Sequence, residues 1–192
     1  MQTEKNQNET HIMVDVESLG KKPNAAIVSI GAVVFDPYAF PTLGEQFEVY
    51  ICPGLVESAG FGIEQETLDW WHLPEQAEAA KISLNGETSP EEAMHLFADW
   101  LNQQGEKANR IIWTKGQDFD IPKIENHFER FGIEIPYEYQ NKADVRTVFR
   151  LAKRNGFDVN TLLRPEPEHT ALWDAVYQAS AVHQANIMLG IE

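Results

Sequence analysis

Hydrophobic and polar positions alternate from His11 to Glu17, with Ile12, Val14 and Val16 on one side and Met13, Asp15 and Glu17 on the other. That is the two-residue period of a strand. Ala26 to Phe35 is rich in β-branched residues, and Gln46 to Ile51 alternates at Phe47, Val49 and Ile51, so two further strands are expected. Connections of 8–10 residues allow these three to form an antiparallel meander. Beyond them the period changes. Thr67 to His72 reads as a short helix stopped by Pro74. Ser89-Pro90-Glu91-Glu92 joins a capping serine, a proline at the first helical position and an acid three residues on, which predicts a helix start. Ala93, Leu96, Phe97, Trp100 and Leu101 then mark its apolar face, and it ends before Gly105.

Arg110 to Trp113 reads as a short buried strand, and Asp120 to Phe131 as a helix closed by Gly132. Asp144 is placed to cap a helix that Gly156 terminates. Its apolar stripe is Val145, Val148, Phe149 and Ala152; its basic stripe is Arg146, Arg150, Lys153 and Arg154. The last helix runs from about Thr170 to Leu189, with Leu172, Val176 and Ala179 as its apolar stripe and Gly190 beyond. Three strands, followed by helices with one or two more strands, predict an α/β fold with a mixed sheet. Residues 1–10 carry no pattern and read as a flexible N-terminal tail, leaving 11–192 as a single domain. No repeat or linker divides it.

Composition narrows the class. A chain of 192 residues with 43% hydrophobic and 23% charged residues is a folded protein rather than a disordered one. The single Cys52 excludes an internal disulfide framework and a multi-thiolate zinc site. The longest apolar run, Ala25 to Phe35, is too short to span a bilayer, and the polar N-terminus lacks the core of a secretory signal, so a cytoplasmic protein with no membrane partner is expected. Net charge is −15, a field that repels polyanions on average and argues against tight duplex binding. The charge is uneven: residues 107–164 hold 11 basic and 8 acidic residues, whereas residues 1–106 hold 4 and 18. An anionic partner should meet the protein in that third quarter or at a bound cation. No Walker loop, nucleophile elbow or dinucleotide fingerprint is present.

Three acidic elements carry candidate chemistry. Asp15 and Glu17 project from the same face at the C-terminal end of an apolar strand, where hard divalent cations find oxygen ligands; the ordinary alternative is a strand end that has reached water. In Trp113-Thr-Lys-Gly-Gln-Asp-Phe-Asp120 an acid follows a strand, and either Asp118 or Asp120 would also serve as a helix cap. In His169-Thr-Ala-Leu-Trp-Asp174 a histidine precedes a helix and an acid lies one turn inside, off the apolar stripe. Such an acid is also favoured simply by the helix dipole.

In this order the three elements resemble the DEDD exonuclease superfamily on a ribonuclease H-like fold. Thr170 stands where the tyrosine branch has its tyrosine, so the chain resembles the histidine branch. The wording Val14-Asp-Val-Glu-Ser-Leu-Gly20, Ile27-Val-Ser-Ile-Gly-Ala-Val-Val-Phe-Asp36, Trp70-Trp71 and Asp144-Val-Arg-Thr147 is most similar to small phage and bacterial exonucleases. Among these are a phage single-strand deoxyribonuclease and bacterial 3′–5′ exoribonucleases. There are two departures: Ser18 replaces a common threonine, and Gly116 stands in place of a common asparagine.

The resemblance implies a mixed five-stranded sheet flanked by helices. It also implies a metal-dependent 3′–5′ exonuclease that hydrolyses single-stranded DNA or RNA to 5′-nucleoside monophosphates. Asp15, Glu17, Asp120 and Asp174 would hold two divalent cations, Mg²⁺ or Mn²⁺, and His169 would take the proton from the attacking water. Asp120 is preferred to Asp118 because the Phe-Asp pair matches the family. Ser18 and Leu19 would meet the terminal nucleotides, with Leu19 wedged between the last two bases. Trp70 or Trp71 would stack on bases, one of them being core. Lys115, Arg146 and Arg150 would contact phosphates. A homodimer is compatible with this scheme and required by nothing in the sequence. The competing reading is a catalytically silent ribonuclease H-like nucleic-acid-binding module. A carboxylate-pair glycosidase that needs no metal is a third.

Overall fold

The computed structural model describes residues 8–39, 43–164 and 169–191; most of the expected N-terminal tail, residues 1–7, lies outside them. Five strands form one mixed sheet: β1 (Thr10–Ser18), β2 (Ile27–Phe35), β3 (Gln46–Tyr50), β4 (Arg110–Thr114) and β5 (Lys142–Asp144). The order is β3-β2-β1-β4-β5, with β2 antiparallel to both β3 and β1 and β4 parallel to both β1 and β5. The six helices of the described residues are α1 (Gln65–Trp71), α2 (Ala77–Ser83), α3 (Pro90–Gln103), α4 (Asp120–Arg130), α5 (Val145–Arg154) and α6 (Ala171–Leu189).

Strand β1 is the central strand, and its alternation divides the core in two. Ile12, Val14 and Val16 pack with Phe97, Leu101, Ile124 and Phe128 on one side of the sheet. Met13 packs with Val33, Trp113, Val145 and Val182 on the other. Asp15 and Glu17 follow Met13 onto this second side, the one α5 and α6 cover.

Local signals account for most boundaries. Ser89 caps α3 by accepting from the Glu92 backbone N–H at 3.2 Å. Asp144 caps α5 by accepting from the Arg146 N–H at 2.7 Å. Gly132, Gly156 and Gly190 follow α4, α5 and α6 in the left-handed conformation that a β-carbon disfavours. Two elements are absent from the sequence reading as separate units. Helix α2 is short and alanine-rich without a periodic stripe, and β5 is only three residues of mixed polarity. Leu96, expected on the packed face of α3, is exposed, because Phe97, Trp100 and Leu101 already fill the contact with the sheet. No helix among the described residues is long and apolar enough to cross a membrane.

A buried histidine links the two sides of β2's start. The His127 ring of α4 stacks on Phe61, with centroids 3.6 Å apart and planes within 3°. Its Nε2 accepts from the Ile27 N–H at 3.3 Å, which leaves Nδ1 as the donor to the Lys123 carbonyl at 2.8 Å. Burial pushes its pKa down to about 4. The unfolded chain therefore binds the proton at higher pH than the folded one. The stability from neutral His127 is complete above pH 6.5 and is lost as pH falls from 6.5 towards 4. Chemical denaturation of wild type and His127→Gln at pH 7.5 and pH 5 should show the wild-type advantage shrinking by about 2 kcal/mol at the lower pH. An advantage that does not change with pH would exclude this account.

Candidate active site

The four acids arrive from three elements. Asp15 and Glu17 sit at the end of β1, where the pairing with β2 shifts register between Glu17 and Ser18. Asp120 is the first residue of α4, beyond a turn in which Gly116 has φ +117°. Asp174 lies in the first turn of α6. Phe119 occupies the cap position of α4 and makes no side-chain cap, so neither Asp118 nor Asp120 is spent on capping. The Asp118 side chain is 86% exposed and 3.5 Å from Arg146, whereas Asp120 is buried and faces the other acids.

Close approach of α6 is what brings Asp174 in. Gly31 pairs with Asp15 across β1 and β2. A β-carbon on Gly31 would lie 2.1 Å from the Leu172 nitrogen and 2.2 Å from the Ala171 carbonyl carbon. Only glycine lets the backbone of α6 rest directly on β2 there. Most buried residues of α6 are accordingly small or polar, among them Ala171, Ala175, Gln178, Val182 and Asn186. The expected Leu172–Val176–Ala179 stripe holds in part: Ala179 is buried and Val176 packs, partly buried, against the same core, whereas Leu172 at the start of the helix is only partly buried. Asp174 stands at the edge of the buried face, one turn before Gln178.

Gln178 donates from Nε2 to Asp15 Oδ1 at 2.8 Å, and Asp174 Oδ2 accepts from the His169 backbone N–H at 3.0 Å. Ligand atoms of Glu17, His169 and Asp174 lie within 4.8 Å of one another. Burial raises the pKa of Asp15 well above the carboxylate range, and the charges of Asp120, Glu17 and Asp174 raise it further. Burial does the same to Glu17, with Asp174 and Asp120 next. Asp120 is pushed up to about 7 by burial, against the pull of Lys123, Arg146 and Lys115. Burial also raises Asp174, against the pull of His169. Asp15 and Glu17 both feel Asp120 and Asp174, so the four acids share one pocket. An all-oxygen set of buried, mutually repelling carboxylates fits a hard divalent cation, whose charge removes the repulsion.

The pocket opens into a cavity of about 680 Å³. Lys115 and Arg146 line it, as does Trp70, which is half-buried. Ser18 also borders it, but its hydroxyl is engaged in donating to the Gly20 carbonyl at 2.9 Å. Trp71 is the buried member of the tryptophan pair and donates from Nε1 to the Ser18 carbonyl at 3.2 Å. Two expected substrate residues lie elsewhere. Leu19 is buried in the core under β1, drawn there because its backbone joins the Ala26 and Glu64 backbones. Arg150 points to solvent from α5 and does not border the cavity. The sequence reading missed Gln178 and Arg164, both of which line the cavity. The spacing of Gln178, four residues after Asp174, was the available signal; Arg164 lies in a patternless loop.

A mixed five-stranded sheet flanked by helices is the ribonuclease H-like architecture that the sequence resemblance implied. The chain belongs to the Rv2179c-like 3′–5′ exoribonuclease domain family, which matches residues 10–186. It is 23% identical over 158 residues to an exodeoxyribonuclease of Enterobacteria phage T4, covering 70% of this chain and 68% of the phage protein. Among solved structures it is similar to E. coli exonuclease I in complex with a dT13 oligonucleotide: TM-score 0.66, 12% identity, 95% of this chain. The chain spans 42% of the length of that enzyme. Cell-death related nuclease 4 is also similar, with TM-score 0.68, 16% identity, and coverage of 95% of this chain and 64% of the nuclease.

Gly31→Ala tests the close contact. The added methyl must push α6 off β2 and carry Asp174 and Gln178 away from Asp15. Overpacking of this kind costs about 1–3 kcal/mol, so the Tm should fall by roughly 2–12 °C. An unchanged Tm in a thermal melt would show that α6 tolerates a larger separation.

Proposed function

We propose that this chain is a 3′–5′ exonuclease of the histidine branch, acting on the 3′ end of single-stranded DNA or RNA and releasing 5′-nucleoside monophosphates. The convergence of Asp15, Glu17, Asp120 and Asp174 beside His169 carries this reading. Family membership supports the 3′–5′ direction. The exoribonuclease family and the phage exodeoxyribonuclease relative support RNA and DNA respectively.

The four carboxylates would hold two divalent cations, Mg²⁺ or Mn²⁺, which when bound supply charge stabilisation to the attacking and leaving oxygens of the phosphodiester. The protein's own groups do the rest. His169 presents an imidazole at the carboxylates, and a ring nitrogen accepts the proton of the attacking water. Gln178 holds one oxygen of Asp15, fixing the carboxylate's orientation. Lys115, Arg146 and Arg164 bring positive charge to the cavity, where phosphates of the strand would lie. Trp70 offers a ring face for sequence-tolerant stacking. A net charge of −15 is compatible with this task, because a degrading enzyme needs only transient contact with one strand end.

A 5′-labelled single-stranded oligonucleotide, tested as matched DNA and RNA, should be shortened stepwise from its 3′ end in the presence of Mg²⁺ or Mn²⁺. Chelator should stop the reaction, and added cation should restore it. Binding without shortening of either strand would instead mark a silent binding module. Asp15→Asn or Glu17→Gln should lower kcat on the order of 10³-fold or more, since each removes several kcal/mol of transition-state stabilisation. Full activity with the fold intact would refute the cage.

His169→Ala should lose about 10²–10⁴-fold in kcat while binding Mn²⁺ as tightly as wild type. A drop in Mn²⁺ affinity matching that of the acid variants, read by calorimetry, would make His169 a ligand instead.

A further inference from the structure

His169 is the only described non-glycine residue with a left-handed backbone, at φ +65°. A non-glycine side chain keeps such a conformation only where its surroundings determine it. Three contacts do so. Its N–H donates to Asp174, as already described. Its carbonyl accepts from Ser83 Oγ at 3.3 Å. Its ring meets Trp70 edge-on, with centroids 4.9 Å apart and planes at 84°. The geometry is the favourable T-shaped arrangement of aromatic rings.

Two of these contacts come from the α1–α2 segment, which contributes none of the acids. That segment is itself anchored. Trp70 packs at 4.9 Å and 73° against Trp71. Trp71 in turn bonds to the Ser18 carbonyl, next to Glu17. Ser83 is fully buried and does not border the cavity, so it is shielded from substrate and, among the described residues, touches the site through His169. A continuous chain of contacts therefore runs from the end of β1 through Trp71 and Trp70 to the imidazole, and Ser83 closes it from the other end of the segment.

We infer that Trp70 and Ser83 are positioning residues: they clamp the His169 ring at the carboxylates before substrate arrives. The inference rests on the proposed role of His169 as proton acceptor. It gives Trp70 a task distinct from base stacking, because a stacking residue serves substrate affinity and a clamp serves turnover.

The test compares Trp70→Leu, Trp70→Phe and Ser83→Ala with wild type and His169→Ala. The first readout needs no activity: ¹³C relaxation of the His169 Cε1–H group in chelator-treated protein. Wild type and Trp70→Phe, which keeps an aromatic edge, should show an ordered ring. Trp70→Leu should show a mobile ring, and Ser83→Ala an intermediate one. The second readout is the kcat and KM for the shortened oligonucleotide. Trp70→Leu should lower kcat about 10-fold or more, as expected for a misplaced reacting group, beyond any rise in KM from lost stacking, with Trp70→Phe restoring most of the rate. A His169 ring as ordered in Trp70→Leu as in wild type overturns the clamp. So does a rise in KM at unchanged kcat, which would make Trp70 a substrate contact alone. If His169→Ala proves fully active, the proton-acceptor reading fails, and ring order still decides whether the clamp exists.

Discussion

Bringing like charges together out of water costs free energy, and Asp15, Glu17, Asp120 and Asp174 incur that cost jointly. Each has its carboxyl pushed upward by burial, and Asp15 and Glu17 are pushed further by their acidic neighbours. Such a cluster persists only because the scaffold beneath it is rigid. Two acids stand on the central strand of the sheet, flanked by β2 and β4. The third begins a helix whose far end is pinned by the buried His127. The fourth rides on a helix pressed against β2 through Gly31. Protein groups offset part of the repulsion: Gln178 donates to Asp15, and the ammonium of the fully buried Lys123 lies close enough to Asp120 to lower its pKa. The remainder is what a bound cation would relieve.

Much of this was legible in the sequence because the controlling signals are local. Alternation along His11–Glu17 put Asp15 and Glu17 on one face, and the structure keeps them there. The caps at Ser89 and Asp144 and the glycines after α4, α5 and α6 set boundaries within a residue or two. What escaped were features set by tertiary contact. The packed face of α6 could be read only in part from hydrophobicity, because the backbone-on-backbone approach at Gly31 selects small residues such as Ala171 and Ala175. Leu19 looks like an apolar residue beside the site, yet its backbone pairing with Ala26 and Glu64 draws it into the core. The partition of Trp70 and Trp71 depended on a hydrogen bond to Ser18, fifty-three positions from Trp71.

Charge shows the same distinction between average and place. The protein as a whole repels anions, but Lys115, Arg146 and Arg164 converge on the cavity from three separate stretches of chain. Of these, Arg146 packs over Gly116, where a β-carbon would stand 2.5 Å from its guanidinium. The glycine that departs from the family's usual asparagine is therefore the space in which a cationic side chain lies. The local field at the cavity is set by such placements rather than by the sum over the surface.

The position of α6 in the chain order has a consequence for biogenesis. Asp15, Glu17 and Asp120 leave the ribosome well before Asp174 of α6 and His169, two residues ahead of that helix. Until that helix has emerged and docked against Gly31, the pocket lacks one wall, one acid and its imidazole. A nascent chain thus carries an unfinished centre until α6 docks, and that docking supplies the wall, the acid and the imidazole together.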